Sequence, residues 1–228
     1  TNERPLLLGP AFSGTDLGAG VGYLFNFTDP NKFFFCLIED FVDSVIGSTP
    51  FASTVSGTGA ATALGVSTYT NRMGVMSNST GTTATGRSAV LTAATGISLG
   101  GANKINVFDS GTTLSAASDG TNTYTAIVGF MDTVTSATQT DGAFFRYTHT
   151  ENGGNWSCVT RTAGVETSTN SGVVPTFGTG VFQALHVVSN DGTNCQFYIN
   201  GTLVATNTTN LPLGAATLGA GVGIFKAV

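Results

Sequence analysis

The stretch Val181-Phe-Gln-Ala-Leu-His-Val-Val-Ser-Asn190, Asp191-Gly192, Thr193-Asn-Cys-Gln-Phe-Tyr-Ile-Asn200, Gly201, Thr202-Leu-Val-Ala-Thr-Asn207 decides the fold class. Two Asx-Gly pairs, Asp191-Gly192 and Asn200-Gly201, cut it into three runs rich in β-branched and aromatic residues. A type I′ reversal needs positive φ at both central residues, which Asn, Asp and Gly tolerate, so each pair predicts a hairpin and the two together a three-stranded meander. In the middle run Cys195, Phe197 and Ile199 alternate with Gln196, Tyr198 and Asn200. One face is apolar and the other mixed, as in a sheet that packs against a second sheet.

The same texture extends upstream. Asn31-Lys-Phe-Phe-Phe-Cys-Leu-Ile38 and Tyr124-Thr-Ala-Ile-Val-Gly-Phe-Met131 are short, aromatic or β-branched, and read as strands buried on both faces. Gly142-Ala-Phe-Phe-Arg-Tyr-Thr-His149 and Asn155-Trp-Ser-Cys-Val-Thr-Arg-Thr162 flank Glu151-Asn-Gly-Gly154, a linker that supplies positive φ at little steric cost, and predict a hairpin. No segment keeps a 3.6-residue period over three turns, and Glu39 to Ile46 is at most a short turn of helix. The expectation is an all-β, two-sheet antiparallel sandwich over residues 31–228. An extended arm precedes it over residues 1–30, where Pro5, Pro10 and several glycines interrupt any alternation. Leu17-Gly-Ala-Gly-Val-Gly22 recurs as Leu218-Gly-Ala-Gly-Val-Gly223. With 31 glycines in the chain, coincidence competes with two like strands lying together where the sheet begins and ends.

Composition bounds the function. A chain of 228 residues can bury a core by itself, and one domain is the default. Charged residues make up 9%, against about 25% in an ordinary domain, so the surface is built from Thr, Ser, Asn and Gly. Such a surface suits a protein packed among copies of itself more than a diffusing enzyme. The net charge is −5 and the eight basic residues form no run, which disfavours nucleic acid as a partner. No apolar stretch approaches the ~20 residues of a membrane span, so no membrane insertion is expected. The amino end, Thr-Asn-Glu-Arg-Pro, does not read as a signal peptide. Cys36, Cys158 and Cys195 are odd in number and lack metal-ligand spacing; they read as core residues of a reducing compartment, with one disulfide from two of them as the alternative.

Taken in order, Lys32-Phe-Phe-Phe-Cys-Leu-Ile-Glu-Asp-Phe41, Met73-Gly-Val-Met-Ser-Asn-Ser-Thr-Gly-Thr-Thr-Ala-Thr-Gly-Arg87, Gly129-Phe-Met-Asp132, the Asn155-Trp156 strand and Phe197-Tyr-Ile-Asn-Gly-Thr-Leu-Val-Ala205 carry a resemblance. The chain resembles tailed-phage structural proteins with a concanavalin A-like jelly roll, of the kind found among fibre, decoration and appendage proteins. The resemblance covers about residue 30 to the end and rests on order and spacing, since the Phe-Tyr-Ile-Asn-Gly hairpin also occurs in laminin-G-like and lectin-like sandwiches. It implies two sheets of six or seven strands with a curved face. It also implies a homo-oligomer, frequently a trimer, on the virion beside other virion proteins. A further strand or tail is expected beyond Phe225-Lys-Ala-Val228, as in a truncated piece.

The chemistry legible in the sequence is sparse. Jelly-roll glycoside hydrolases of this type project acid and nucleophile from one strand in a Glu-x-Asp-x-x-Glu pattern. That pattern is missing, and Glu39 and Asp40 would point to opposite faces of a strand. Asp119, Asp141 and Asp191 each precede Gly, as turn residues do. His149 and His186 sit in strand patterns, apart from any Gly-x-Ser-x-Gly elbow. No catalytic, metal or cofactor-binding residue is therefore assigned; a structural calcium held by loop carbonyls with Asp29 or Asp132 stays open. For sugar recognition the best constellation is Trp156 with Asn155 and Asn152, and with Tyr147 and Tyr124 nearby. The competing reading makes Trp156, the only Trp, a core or interface residue. Three functions follow: a non-enzymatic virion structural protein, in the second place a carbohydrate-binding module of a secreted or cell-surface protein that meets a host-surface glycan, and most weakly a glycoside hydrolase.

Overall fold

Asp191 and Gly192 adopt φ of 47° and 66°, and Asn200 and Gly201 φ of 51° and 78°, so both predicted pairs reverse the chain in the positive-φ region; the second is a two-residue hairpin between Ile199 and Thr202, whereas the first takes three residues, 191–193, between the paired Asn190 and Asn194. These values come from a computed structural model that describes residues 51–64, 75–92, 96–101, 104–178, 180–213 and 218–226. The expected arm over 1–30, the strand around Phe33, Cys36, Glu39 to Ile46, Asp29 and the first copy of the repeated hexapeptide lie outside the described residues.

The chain divides into two compact units, one of Thr1–Thr49 with Ala63–Met76 and the other of Pro50–Thr62 with Ser77–Val228. Thirteen strands are described: β1 (Phe51–Ser56), β2 (Ala60–Leu64), β3 (Met76–Thr80), β4 (Arg87–Thr92), β5 (Ile105–Thr112), β6 (Thr125–Met131), β7 (Gly142–Tyr147), β8 (Ser157–Thr162), β9 (Val165–Asn170), β10 (Gln183–Asn190), β11 (Asn194–Ile199), β12 (Thr202–Asn207) and β13 (Gly219–Phe225). They form a seven-stranded sheet ordered β1-β4-β13-β6-β7-β8-β9, a four-stranded sheet ordered β12-β11-β10-β5, and a β2-β3 pair. The two large sheets belong to the second unit and are antiparallel throughout. The protein is an all-β jelly-roll sandwich. Among the described residues its smaller sheet holds four strands, and the resemblance implied six or seven.

Alternation builds the core. Val128, Phe130, Phe145, Tyr147 and Cys158 of the large sheet, with Trp156 just before β8, meet Leu185, Val187, Cys195, Phe197 and Ile199 of the small one. The Phe145 and Phe197 rings meet edge to face, 5.3 Å apart, the geometry that aromatic quadrupoles favour. Cys158 and Cys195 are free thiols in this core; burial raises both, Cys195 to about 11. β6 is buried along its whole length because Ile127 and Met131 on its other face join a second apolar cluster with Phe144, Val159 and Phe225. Val134 and Ala137 of the β6–β7 loop pack on that cluster. Asp132, one of the two residues left open for a calcium, closes this loop by accepting the N–H groups of Thr140 and Asp141. Among the described residues no three His, Cys, Asp or Glu side chains gather as metal ligands.

At the β9–β12 margin the core gives way to a polar seam. Asn207 donates to the Cys158 carbonyl and accepts from Thr169, while the Thr160 hydroxyl donates to the Thr209 carbonyl. Asn207 is buried and paired on both sides of its amide, as a buried polar group must be.

Candidate functional site

Connectivity brings three loops to one end of the sandwich. Residues 113–124 join β5 to β6, 148–156 join β7 to β8, and 171–182 join β9 to β10; the antiparallel registers place all three at the same strand ends, with the Asn200-Gly201 turn beside them. The loops are long, so side chains and isolated backbone bonds must hold them.

The hold is visible around Phe177. Leu114 bridges Phe177 in parallel: its N–H donates to the Thr176 carbonyl and its carbonyl accepts the Gly178 N–H. The Thr113 hydroxyl donates to the Gly178 carbonyl as well. Phe177 is thereby aimed outward with 37% of its surface exposed, while one side of its ring lies against Tyr147 at 5.8 Å. Val174 and Val181 of the same loop are also exposed.

Beneath Phe177 lies a support of buried aromatic rings. Tyr147 and Trp156 are each 1% exposed and meet edge to face at 6.0 Å. The Trp156 indole N–H donates to Gln183 Oε1 at 3.0 Å; Gln183 also accepts the Thr176 N–H and donates to the Val174 carbonyl. Gln183 thus couples the buried indole to the loop that carries Phe177. Of the predicted constellation, then, Trp156 and Tyr147 point into the core, which is the competing reading for a lone Trp. A ring with 1% of its surface in water has no face for a sugar.

Asn152 and Asn155 stay on the β7–β8 loop. The Asn152 amide donates to the Ser157 hydroxyl and the Asn155 amide to Asn170 Oδ1. Tyr124 packs on Tyr147 at 5.7 Å, and burial raises its hydroxyl well above the ordinary range. Phe177 was missed in the sequence because it sits alone in a loop, without the Asn neighbours that drew attention to Trp156. The one available sign was an aromatic between turn residues, in Pro175-Thr-Phe-Gly178.

His149 lies beyond the end of β7 rather than in a strand, with its Nδ1 3.0 Å from the Ser118 hydroxyl. Ser118 is buried; its hydroxyl accepts the Tyr124 N–H and its own N–H donates to the Tyr147 hydroxyl. These bonds tie the β5–β6 loop to the rest and bury the hydroxyl. The neighbouring Asp119 accepts the Asn122 and Thr121 N–H groups, and those bonds hold its carboxylate below the ordinary range. His186 pairs across strands with Asp109 at 3.3 Å, in the four-stranded sheet.

On the outer face of β7–β9, Arg146 donates to both Glu151 and Glu166, and Arg161 donates to Glu166. Burial pushes Glu151 up, but the Arg146 guanidinium outweighs it; for Glu166 the bond from Arg146 is the largest influence, and both carboxylates end below their ordinary range. A glycosidase needs one carboxyl that keeps its proton near neutral pH. This pair is held in the opposite state.

Comparison with solved structures finds SO2946 of Shewanella oneidensis MR-1, described as a protein of unknown function. It is 14% identical at a TM-score of 0.53, over 77% of this chain and 70% of that one. The potassium-bound carbohydrate recognition domain of Emp46p is 8% identical at a TM-score of 0.51, over 77% and 81%. At these identities the likeness establishes a shared fold. No curated protein sequence matches the chain. Residues 71–228 match the family model described as SO2946-like, C-terminal domain, and the chain belongs to that family.

Proposed function

We propose that the domain binds carbohydrate without cleaving it, through the loop end that presents Phe177. One observation carries this reading: an aromatic ring, backed by Tyr147 and locked by the Leu114 bridge, is exposed among loops bearing Asn, Asp, Thr and His side chains. Sugars are bound by that combination, a ring for the C–H face of a pyranose and hydrogen-bonding groups for its hydroxyls. The fold shared with the Emp46p carbohydrate recognition domain supports it. The pinned state of Glu151 and Glu166 supports binding over hydrolysis. The test is retention on insoluble polysaccharides by the parent and by Phe177→Ala. Specific retention that the substitution removes, with unchanged melting, is expected; equal retention of both would sink the assignment.

A second reading, a structural component of a virus particle, requires assembly from several copies, and the small sheet offers a surface for self-association. There β5, the outermost strand of that sheet among the described residues, exposes Ile105 at 65% and Val107 at 60%, two β-branched residues on one face. Such edges invite pairing with another chain. Light scattering tests it: self-association that Val107→Lys abolishes is expected, and a monomer at all concentrations counts against it.

A further inference from the structure

The charges at the loop end narrow the ligand class. The carboxylates on the three loops are Asp119 and Glu151, both held below their ordinary range, and the one histidine there, His149, has its Nδ1 on the Ser118 hydroxyl. Asp119 accepts the Thr121 and Asn122 N–H groups at Oδ1. The guanidinium that reaches these loops among the described residues, on Arg146 near the end of β7, has its Nε and Nη2 on Glu151 and its Nη1 and Nη2 on Glu166. A fork of this kind is the usual partner of a carboxylate or sulfate, and here the chain's own carboxylates occupy it. An incoming anion would have to displace a partly buried Glu and leave it unpaired, which costs more than the exchange returns.

Among the described residues two other cations reach this end, Arg87 at the start of β4 and Lys226 after β13, and the Lys226 ammonium donates to the Gly81 carbonyl. In sheet order β13 and β6 separate β4 from β7. At about 4.8 Å per strand that is roughly 10–15 Å, at or beyond the screening length of physiological salt.

We infer that, on the carbohydrate-binding reading above, the loop end selects neutral glycans and rejects those carrying uronate, sialate or sulfate. The Phe177 ring and the uncharged donors and acceptors around it suffice for a neutral pyranose, whereas an anionic one meets the Asp119 carboxylate, and among the described residues the guanidinium that reaches these loops is already paired with Glu151 and Glu166.

The test is a printed array of neutral, uronic-acid, sialylated and sulfated glycans probed with the full chain at low and at high salt. Phe177→Ala, Phe177→Tyr and Asp119→Asn are run alongside. Neutral glycans are expected to bind with affinity changing less than ~twofold between the two salts, as an uncharged contact should. Phe177→Ala loses at least ~tenfold and Phe177→Tyr, which keeps the ring, retains binding. Asp119→Asn keeps the turn acceptor and raises the weak signal on anionic glycans by a few-fold at low salt. Anionic glycans bound more tightly than neutral ones, with affinity falling as salt rises, would overturn the charge inference. If Phe177→Ala removed that binding, the carbohydrate reading would survive it. No binding to any glycan would overturn both.

Discussion

The meander β10–β12 and the loop end that it adjoins are stabilised in different ways. In the meander, order comes from neighbours in sequence: the two reversals take three residues and two, and the β10–β11 register runs unbroken from Leu185 opposite Ile199 to Asn190 opposite Asn194. At the loop end it comes from residues far apart in the chain. Leu114 holds the backbone around Phe177, Ser118 is held by Tyr147, and Trp156 reaches Thr176 through Gln183. The contrast shows why a surface for binding can sit on the second region. Loops tied by a few long-range bonds to a rigid sheet can change sequence without disturbing the strands beneath them.

Substitutions separate the two regimes by size. The largest loss is expected at their junction, from Trp156→Ala, which empties a core position and strands Gln183; about 3–5 kcal/mol should appear in denaturant unfolding. A cost under about 1 kcal/mol would show that the indole does not brace the loops. Gly201→Val comes next, at about 1–2 kcal/mol or more, because a β-branched residue resists φ of 78°. Melting equal to the parent would mean that the meander does not depend on its turn.

Arg146→Met leaves Glu151 and Glu166 facing each other. About 1–2 kcal/mol is expected, less than for a fully buried network, since the carboxylate side chains keep 25% and 24% of their surface in water. Both carboxyls titrate below 4.5 in the folded protein, so their contribution is present above that pH and is lost as pH falls through the folded values. Stability of the parent should therefore drop below about pH 4.5, and the Arg146→Met curve should be flatter there. Parallel curves would argue that the ion pairs add nothing. The smallest effect belongs to Phe177→Ala, under about 1 kcal/mol, because the ring already faces water; a larger loss would make Phe177 a core residue and remove it as a ligand platform.

Much of the fold was legible because its signals are local. Asp191-Gly192 and Asn200-Gly201 specify their turns within three residues and two, and the Cys195, Phe197, Ile199 alternation names the buried face. The site was less legible. Trp156 and Asn155 are neighbours in the chain, yet the indole bonds to Gln183 in the core and the amide to Asn170 at the surface, because successive residues of extended chain point to opposite sides. His149 was read as a strand residue because Phe144 to Tyr147 continues into it without a break in composition; the strand ends where Thr148 accepts the Glu151 N–H and turns the chain.

By itself, then, the sequence determined an all-β chain: the period-two pattern, the positive-φ turns and the absence of a helical period depend only on residues close in the chain. Only the tertiary structure decided which aromatic faces water. Phe177 is exposed and Trp156 buried because of bonds between residues tens of positions apart, Leu114 with Thr176 and Trp156 with Gln183, and no local pattern encodes which distant partner a side chain will meet.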